Sequence, residues 1–283
     1  MQVALRRPVL LTLLPRDAAR RPQHHYHFER QVALASHVRH ENVISAIDAG
    51  THRGCRYVVT EHVQGRVLAE VMKRGRALPL PQAVTIARDV ARALACLDAS
   101  GLAHHDVSPE TILVTDEGVT KLSGFAVTED GDAAERAKRL GRDAVDALYA
   151  APETALGERT IDVRADLYSL GCVLYEMATG HVPFFSPAPV VVLESHATRP
   201  PTDPREIAPS LPAPLVEVMD RCLRKRREHR YAKAADLAND LEAVRAGREI
   251  AWMSAEGALW PKPPGGLLPR MRRGRGTTPP AGA

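Results

Sequence analysis

Residues 166–178 (DLYSLGCVLYEMA) are apolar nearly all round a helical wheel, and Gly180 follows where a helix would stop. A helix of that kind has no face to turn toward water. It must lie inside a domain that covers it on every side, and 283 residues suffice for one large domain or two small lobes around such a core. Two further helices are predicted around it. From Pro81, the residues Ala83, Ile86, Ala87, Val90, Ala93, Leu94 and Leu97 recur at three-to-four-residue spacing, with Gly101 just past the end. Between 232 and 244, Ala234, Leu237, Leu241 and Val244 share one face.

Strands are predicted at 9–14, at 56–63 (RYVVTEHV), and at 111–114 and 119–122. The last two are joined by Asp116-Glu117-Gly118, a hairpin signal. The Pro-rich stretch 182–215 is predicted to be loop. Strands and one helix followed mostly by helices make an α+β pattern in two lobes.

Composition excludes several classes. The chain is 45% hydrophobic and 25% charged, within the ordinary globular range, and no apolar run approaches the ~20 residues of a membrane helix. Residues 9–14 (VLLTLL) after Arg6 and Arg7 are too short for a signal peptide and are read as a strand. Cys55, Cys96, Cys172 and Cys222 form no C-x-x-C pair, so reduced thiols in the cytoplasm are expected rather than a zinc site or a disulfide framework. The formal charge of +4 is confined to residues 250–283, where Lys262, Arg270, Arg272, Arg273 and Arg275 face Glu256 alone. That Pro- and Gly-rich tail is expected to be disordered and is a candidate for contact with an anionic surface, while Trp252 and Trp260 are expected to dock back on the large lobe. The histidines at 24, 25, 27, 37 and 40 are read as a solvated loop and helix face with no metal site. The basic run 221–227 is read as a solvated helix end.

The hairpin is preceded by His104-His105-Asp106-Val107-Ser108-Pro109-Glu110-Thr111 and followed by Lys121-Leu122-Ser123-Gly124-Phe125-Ala126. Then come Tyr149-Ala150-Ala151-Pro152-Glu153, Asp166-Leu167-Tyr168-Ser169-Leu170-Gly171, and Arg230 before the last helix. In this order and spacing the chain resembles a bacterial serine/threonine protein kinase domain from about residue 7 to 245. The resemblance implies a two-lobed kinase-like fold: a truncated β lobe at 1–63 without a glycine-rich loop, a helical lobe at 64–249 and the tail at 250–283.

Phosphoryl transfer in that family is mostly positioning and charge stabilisation. Residue by residue, the resemblance implies that the parts for it have changed. Thr12 stands at the strand lysine and Gln31 at the helix glutamate that holds it. Ser108 stands at the catalytic-loop lysine, Thr111 at the metal-binding asparagine, and Gly124 at the metal-binding aspartate. His105 replaces the arginine that receives an activation-loop phosphate, and only Asp106 of the reacting groups is kept. The matching structural positions are retained: His104 and Phe125 as stacking side chains, Glu153 with Arg230 as a buried ion pair, and Asp166 as the acceptor for catalytic-loop backbone.

The resemblance with these departures implies a pseudokinase acting as a binding or regulatory scaffold, with a protein partner such as an active kinase or its substrate. No metal or other cofactor is expected, though ATP and magnesium stay open, with Glu61, His62 and Val63 as the hinge that would hold the base. The alternative is a residual serine/threonine kinase using Asp106 as base.

Overall fold

The computed structural model describes residues 8–13, 38–53, 55–72, 75–124, 144–158, 160–250 and 259–260. The small lobe holds a three-stranded antiparallel sheet of β1 (Val9–Leu13), β2 (Ala46–His52) and β3 (Cys55–Glu61) in the order β1-β3-β2. The apolar alternation of β3 turns Val58 fully inward, and β1 lies against it with Thr12 opposite Val58. β2 carries too few apolar residues (AIDAGTH) to have been recognised as a strand, and its pairing with β3 decides it.

A second small sheet joins β4 (Gly65–Val67) to the hairpin β5 (Ile112–Thr115) and β6 (Thr120–Leu122). A short helix α1 (Leu68–Val71) follows β4. A parallel bridge from Val43 to Leu122 ties this sheet to the first lobe.

The helical lobe is built on α2 (Leu80–Ala99) and α5 (Val163–Thr179). Between them in the chain lie the short helices α3 (Ala144–Ala147) and α4 (Pro152–Ala155). After α5 come α6 (Pro189–Thr198), α7 (Pro204–Ile207), α8 (Ala213–Cys222) and α9 (Ala234–Arg245). The apolar face of α2 packs against α5 and α9, and an Arg88–Glu242 pair at 3.0 Å closes the α2–α9 edge. α5 is enclosed as its composition requires: Leu167, Tyr168, Leu170, Cys172, Val173, Leu174, Tyr175 and Met177 are all 1% exposed or less. Its N-terminus is capped by Asp162, which accepts the Arg164 N–H, and its C-terminus by left-handed Gly180.

The stretch 182–215 differs from the loop predicted for it. Three helices start there, and each carries proline in its first turn: Pro189, Pro204 and Pro214. Proline at the first helical positions costs no hydrogen bond because those N–H groups have no intrahelical partner, so the residue read as a breaker is a starter.

The basic run is likewise not a solvated helix end. Arg224 is 7% exposed and paired with Asp220 at 2.6 Å, Arg221 stacks 3.9 Å above the Tyr231 ring, and Lys225 reaches inward to Tyr168. Of the residues assigned to the tail, Leu259 and Trp260 are described, and both pack on the helical lobe; Trp252 lies outside the described residues. Among the described residues no helix is long and apolar enough to cross a membrane.

At Gly171 α5 and α8 approach closely, since a Cβ added there would sit 2.6 Å from Cys222 Cβ. Gly171→Ala gains up to about 1 kcal/mol of helix propensity, whereas overpacking between two helix backbones costs about 1–3 kcal/mol. The expected outcome is a net loss of stability of about 1 kcal/mol in urea unfolding, and Gly171→Val loses more.

Candidate active-site cleft

The segment 102–111 leaves α2 through Gly101 and returns into β5, and its path is set by hydrogen bonds to residues far along the chain. Asp166, in the first turn of α5 and 1% exposed, accepts the His104 N–H through Oδ2 and the His105 N–H through Oδ1, both at 2.7 Å. This holds His105 at φ +65°, a left-handed conformation that a non-glycine residue adopts only under constraint.

The His104 ring is fully buried. Its Nδ1 accepts the Asp106 N–H at 3.2 Å and its Nε2 lies 2.7 Å from the Ser123 carbonyl. The first contact needs a lone pair and the second a proton, so the ring is the neutral Nε2–H tautomer. Burial agrees by pushing its pKa down to about 4.

Thr111 sits where the resemblance implies a metal-binding asparagine. Its hydroxyl donates toward the Asp106 carbonyl at 2.8 Å and the Ser108 carbonyl at 3.1 Å, and accepts the Ser108 N–H at 3.1 Å. The Thr111 carbonyl in turn receives the Ser123 N–H at 2.8 Å and the Ser123 hydroxyl at 2.9 Å. Thr111 thus stitches the loop to the strand end that follows β6, and its hydroxyl is engaged with backbone.

Gly124, two residues beyond β6, has φ +93°. A Cβ on it would meet Thr111 Cγ2 at 3.4 Å, tight but not forbidden, in a backbone conformation that side chains rarely adopt. Asp106 opens into a cleft lined also by His105, Ser108, Asp146, Tyr149 and Thr154.

The other candidate residues are spread around this loop. Thr12 is half-buried in β1 on the small lobe. Of the hinge residues, Glu61 ends β3, with its carboxylate accepting the Ser45 N–H at 3.0 Å and the Lys121 ammonium at 3.1 Å; His62 is exposed and Val63 half-buried. Gln31 and Phe125 lie outside the described residues, as do His24, His25, His27 and His37. His40 is described, and its Nδ1 accepts the Asn42 N–H at 3.1 Å.

Glu153 and Arg230 meet in a bidentate pair at 2.7 and 2.8 Å, with Arg230 3% exposed. The remaining Arg230 N–H groups go to the carbonyls of Arg224, Arg164 and Lys225 at 2.7, 2.9 and 3.0 Å, so all five donors are used.

One network escaped the sequence reading. Lys225 donates to Tyr168 Oη at 3.3 Å, the Tyr168 hydroxyl donates to His196 Nδ1 at 2.9 Å, and His196 Nε2–H donates to the Leu148 carbonyl at 3.0 Å. Its members come from four segments with no shared motif. The sequence signal was a tyrosine in the apolar helix at 166–178 and a histidine in the stretch 182–215 read as loop.

A small antiparallel β lobe, a helical lobe on a fully buried helix, and a loop at their junction tied to that helix by a carboxylate define a protein-kinase fold. Residues 14–241 match the family model of the protein kinase domain, and the chain belongs to that family. It is 37% identical over 218 residues to a probable serine/threonine-protein kinase of Clostridium perfringens, covering 77% of this chain and 32% of that protein. It is 32% identical over 254 residues to the serine/threonine-protein kinase PknB of Mycobacterium leprae, covering 87% and 40%. The chain therefore spans 32% and 40% of the length of these two curated relatives. The crystal structure of the Mycobacterium tuberculosis PknI kinase domain superposes with a TM-score of 0.66 at 23% identity, covering 83% of this chain and 84% of that one.

Two predictions rest on this geometry. Arg230→Met leaves the buried Glu153 without its counter-charge and is expected to destabilise by about 3–5 kcal/mol in chemical unfolding; Glu153→Gln/Arg230→Met together lose less than the two single variants summed. The second concerns acid. His104 is held neutral, with its pKa lowered to about 4, and His196 likewise, to about 3. The unfolded chain takes up protons on both below about pH 6.5 while the folded chain does not, so stability is lost as pH falls from there toward 4. The loss reaches on the order of 3 kcal/mol per histidine, and His196→Gln is expected to flatten the slope measured by thermal unfolding between pH 7 and 4.5.

Proposed function

We propose that this protein-kinase domain is a pseudokinase: a folded kinase scaffold that binds or regulates a protein partner, an active kinase or a kinase substrate, without transferring phosphate itself. The observation that carries the reading is the state of Thr111 and Gly124. The Thr111 hydroxyl is taken up by the Asp106 and Ser108 backbone, and Gly124 offers no carboxylate. A magnesium ion held between phosphates needs oxygen ligands from these two places, and the residues present do not fit one.

Two other substitutions support it. Thr12, the neutral residue on β1, has neither the charge nor the reach of the lysine that holds phosphates, and Ser108, 7% exposed, replaces the cation beside the transferred group. Asp106 alone can accept a proton from a hydroxyl. A base without charge stabilisation supplies only about 10²–10⁴-fold, far short of a kinase rate. The framework around it is kept: Asp166 on the loop backbone, His104 buried between loop and strand, Glu153 on Arg230. A chain that retains the supports while its charged parts are replaced fits selection on shape and surface.

The test is phosphate transfer and nucleotide binding with purified protein. Neither autophosphorylation nor transfer to a generic acceptor is expected in Mg-ATP. Activity that Asp106→Ala abolishes overturns the proposal.

In a thermal-shift titration, 1 mM ATP with magnesium is expected to give no more stabilisation than ATP alone, whereas a site with a 10 μM dissociation constant would add about 2.7 kcal/mol. Gly124→Asp by itself is expected to lower the melting temperature rather than create a magnesium-dependent shift, because the new side chain meets Thr111 from a backbone at φ +93°.

A further inference from the structure

Four groups from separate parts of the helical lobe converge on Leu259 and Trp260. The Trp260 indole N–H donates to the Pro201 carbonyl at 2.9 Å, and its ring lies against Tyr175 of α5 with centroids 6.3 Å apart. The Leu259 N–H donates to Asp220 Oδ2 at 2.6 Å, and the Trp260 N–H reaches the same oxygen at 3.4 Å. The Trp260 carbonyl accepts from the Arg205 guanidinium at 3.4 Å. Trp260 is left 6% exposed.

The seat is built for this occupant rather than filled by chance. Asp220 is 3% exposed in α8, its Oδ1 bound by Arg224 at 2.6 Å, and burial pushes its carboxyl up from the usual range. Its second oxygen has the two peptide N–H groups as partners; remove them and a desolvated carboxylate oxygen is left with less compensation. The Pro201 carbonyl asks for a donor at the far edge of an aromatic ring. Among apolar aromatic side chains only tryptophan carries one there, and phenylalanine would leave the carbonyl bare.

We infer that Tyr175, Pro201, Arg205 and Asp220 form a binding seat for an extended, tryptophan-bearing peptide segment, and that Leu259–Trp260 of the same chain is its occupant, clasping the C-terminal segment to the helical lobe. Only residues 246–258 separate the occupant from the end of α9, so the seat meets its own segment at a high effective concentration. The clasp adds Leu259 and Trp260, beyond the boundary at residue 249, to what packs on the helical lobe. It also fixes the origin of the arginine cluster. Arg270 lies ten residues beyond Trp260 and reaches at most about 35 Å from the seat.

Tryptophan fluorescence of the full chain tests this. In Trp252→Phe the only tryptophan left is Trp260; its emission is expected to be blue-shifted and its quenching by iodide several-fold weaker than in the urea-unfolded chain. Asp220→Asn in that background is expected to raise quenching with far-UV circular dichroism unchanged. Because Asp220 also faces Arg224, a second measurement does not depend on that variant. Trp260→Ala in the full chain vacates the seat, and a synthetic peptide of residues 255–264 is expected to bind it saturably and to bind the wild-type chain at least tenfold more weakly. Quenching of Trp260 equal to that of the unfolded chain, or a Trp260→Ala chain that binds the peptide no better than wild type, overturns the inference.

Discussion

The Asp166 carboxylate is the point on which the site depends. It is carried in the first turn of the buried helix α5, out of reach of water, and spends its two oxygens on consecutive N–H groups of the loop at His104 and His105. A carboxylate so placed is stable only while both bonds are made, and the loop keeps its left-handed turn at His105 only while the carboxylate is there. Everything downstream inherits that geometry. The His104 ring reaches the Ser123 carbonyl, Ser123 reaches Thr111, and Thr111 closes back on Asp106. The helix also has to be held, and the Glu153–Arg230 pair does this from the other side by tying α4 to the backbone of residues 164, 224 and 225.

These two anchors hold the kinase framework of this chain in place. Each support is a desolvated charge whose loss costs several kcal/mol, a large share of what holds a domain together. Thr12 and Gly124, by contrast, carry no charge and belong to neither anchor. The Thr111 hydroxyl satisfies loop backbone, so the loop is well bonded internally.

Much of the fold was legible because it is written in local periodicity. The apolar stripe from Ala83 to Leu97 is the buried face of α2, and DLYSLGCVLYEMA is the centre of α5. The hairpin around Gly118 closes as its turn residues dictate. The misreadings have physical causes. Proline in 182–215 reads as a breaker, yet it occupies the first turns of α6, α7 and α8. The basic run 221–227 reads as solvated because nothing local reveals that Asp220 and Arg224, four residues apart, are both buried, or that the Tyr231 ring lies under Arg221. β2 was missed because its partner, not its composition, makes it a strand.

The sequence by itself determined the family and the order of the lobes, because motif spacing and residue type are one-dimensional facts. Only the tertiary structure decided what the individual side chains touch. That Ser123 reaches Thr111, that Lys225, Tyr168 and His196 form a chain to Leu148, and that Leu259 and Trp260 are seated on Asp220 all depend on groups distant in sequence meeting within 3.5 Å. Hydrogen bonding and desolvation act over that distance, and no pattern along the chain encodes which donors and acceptors the folded packing brings within it.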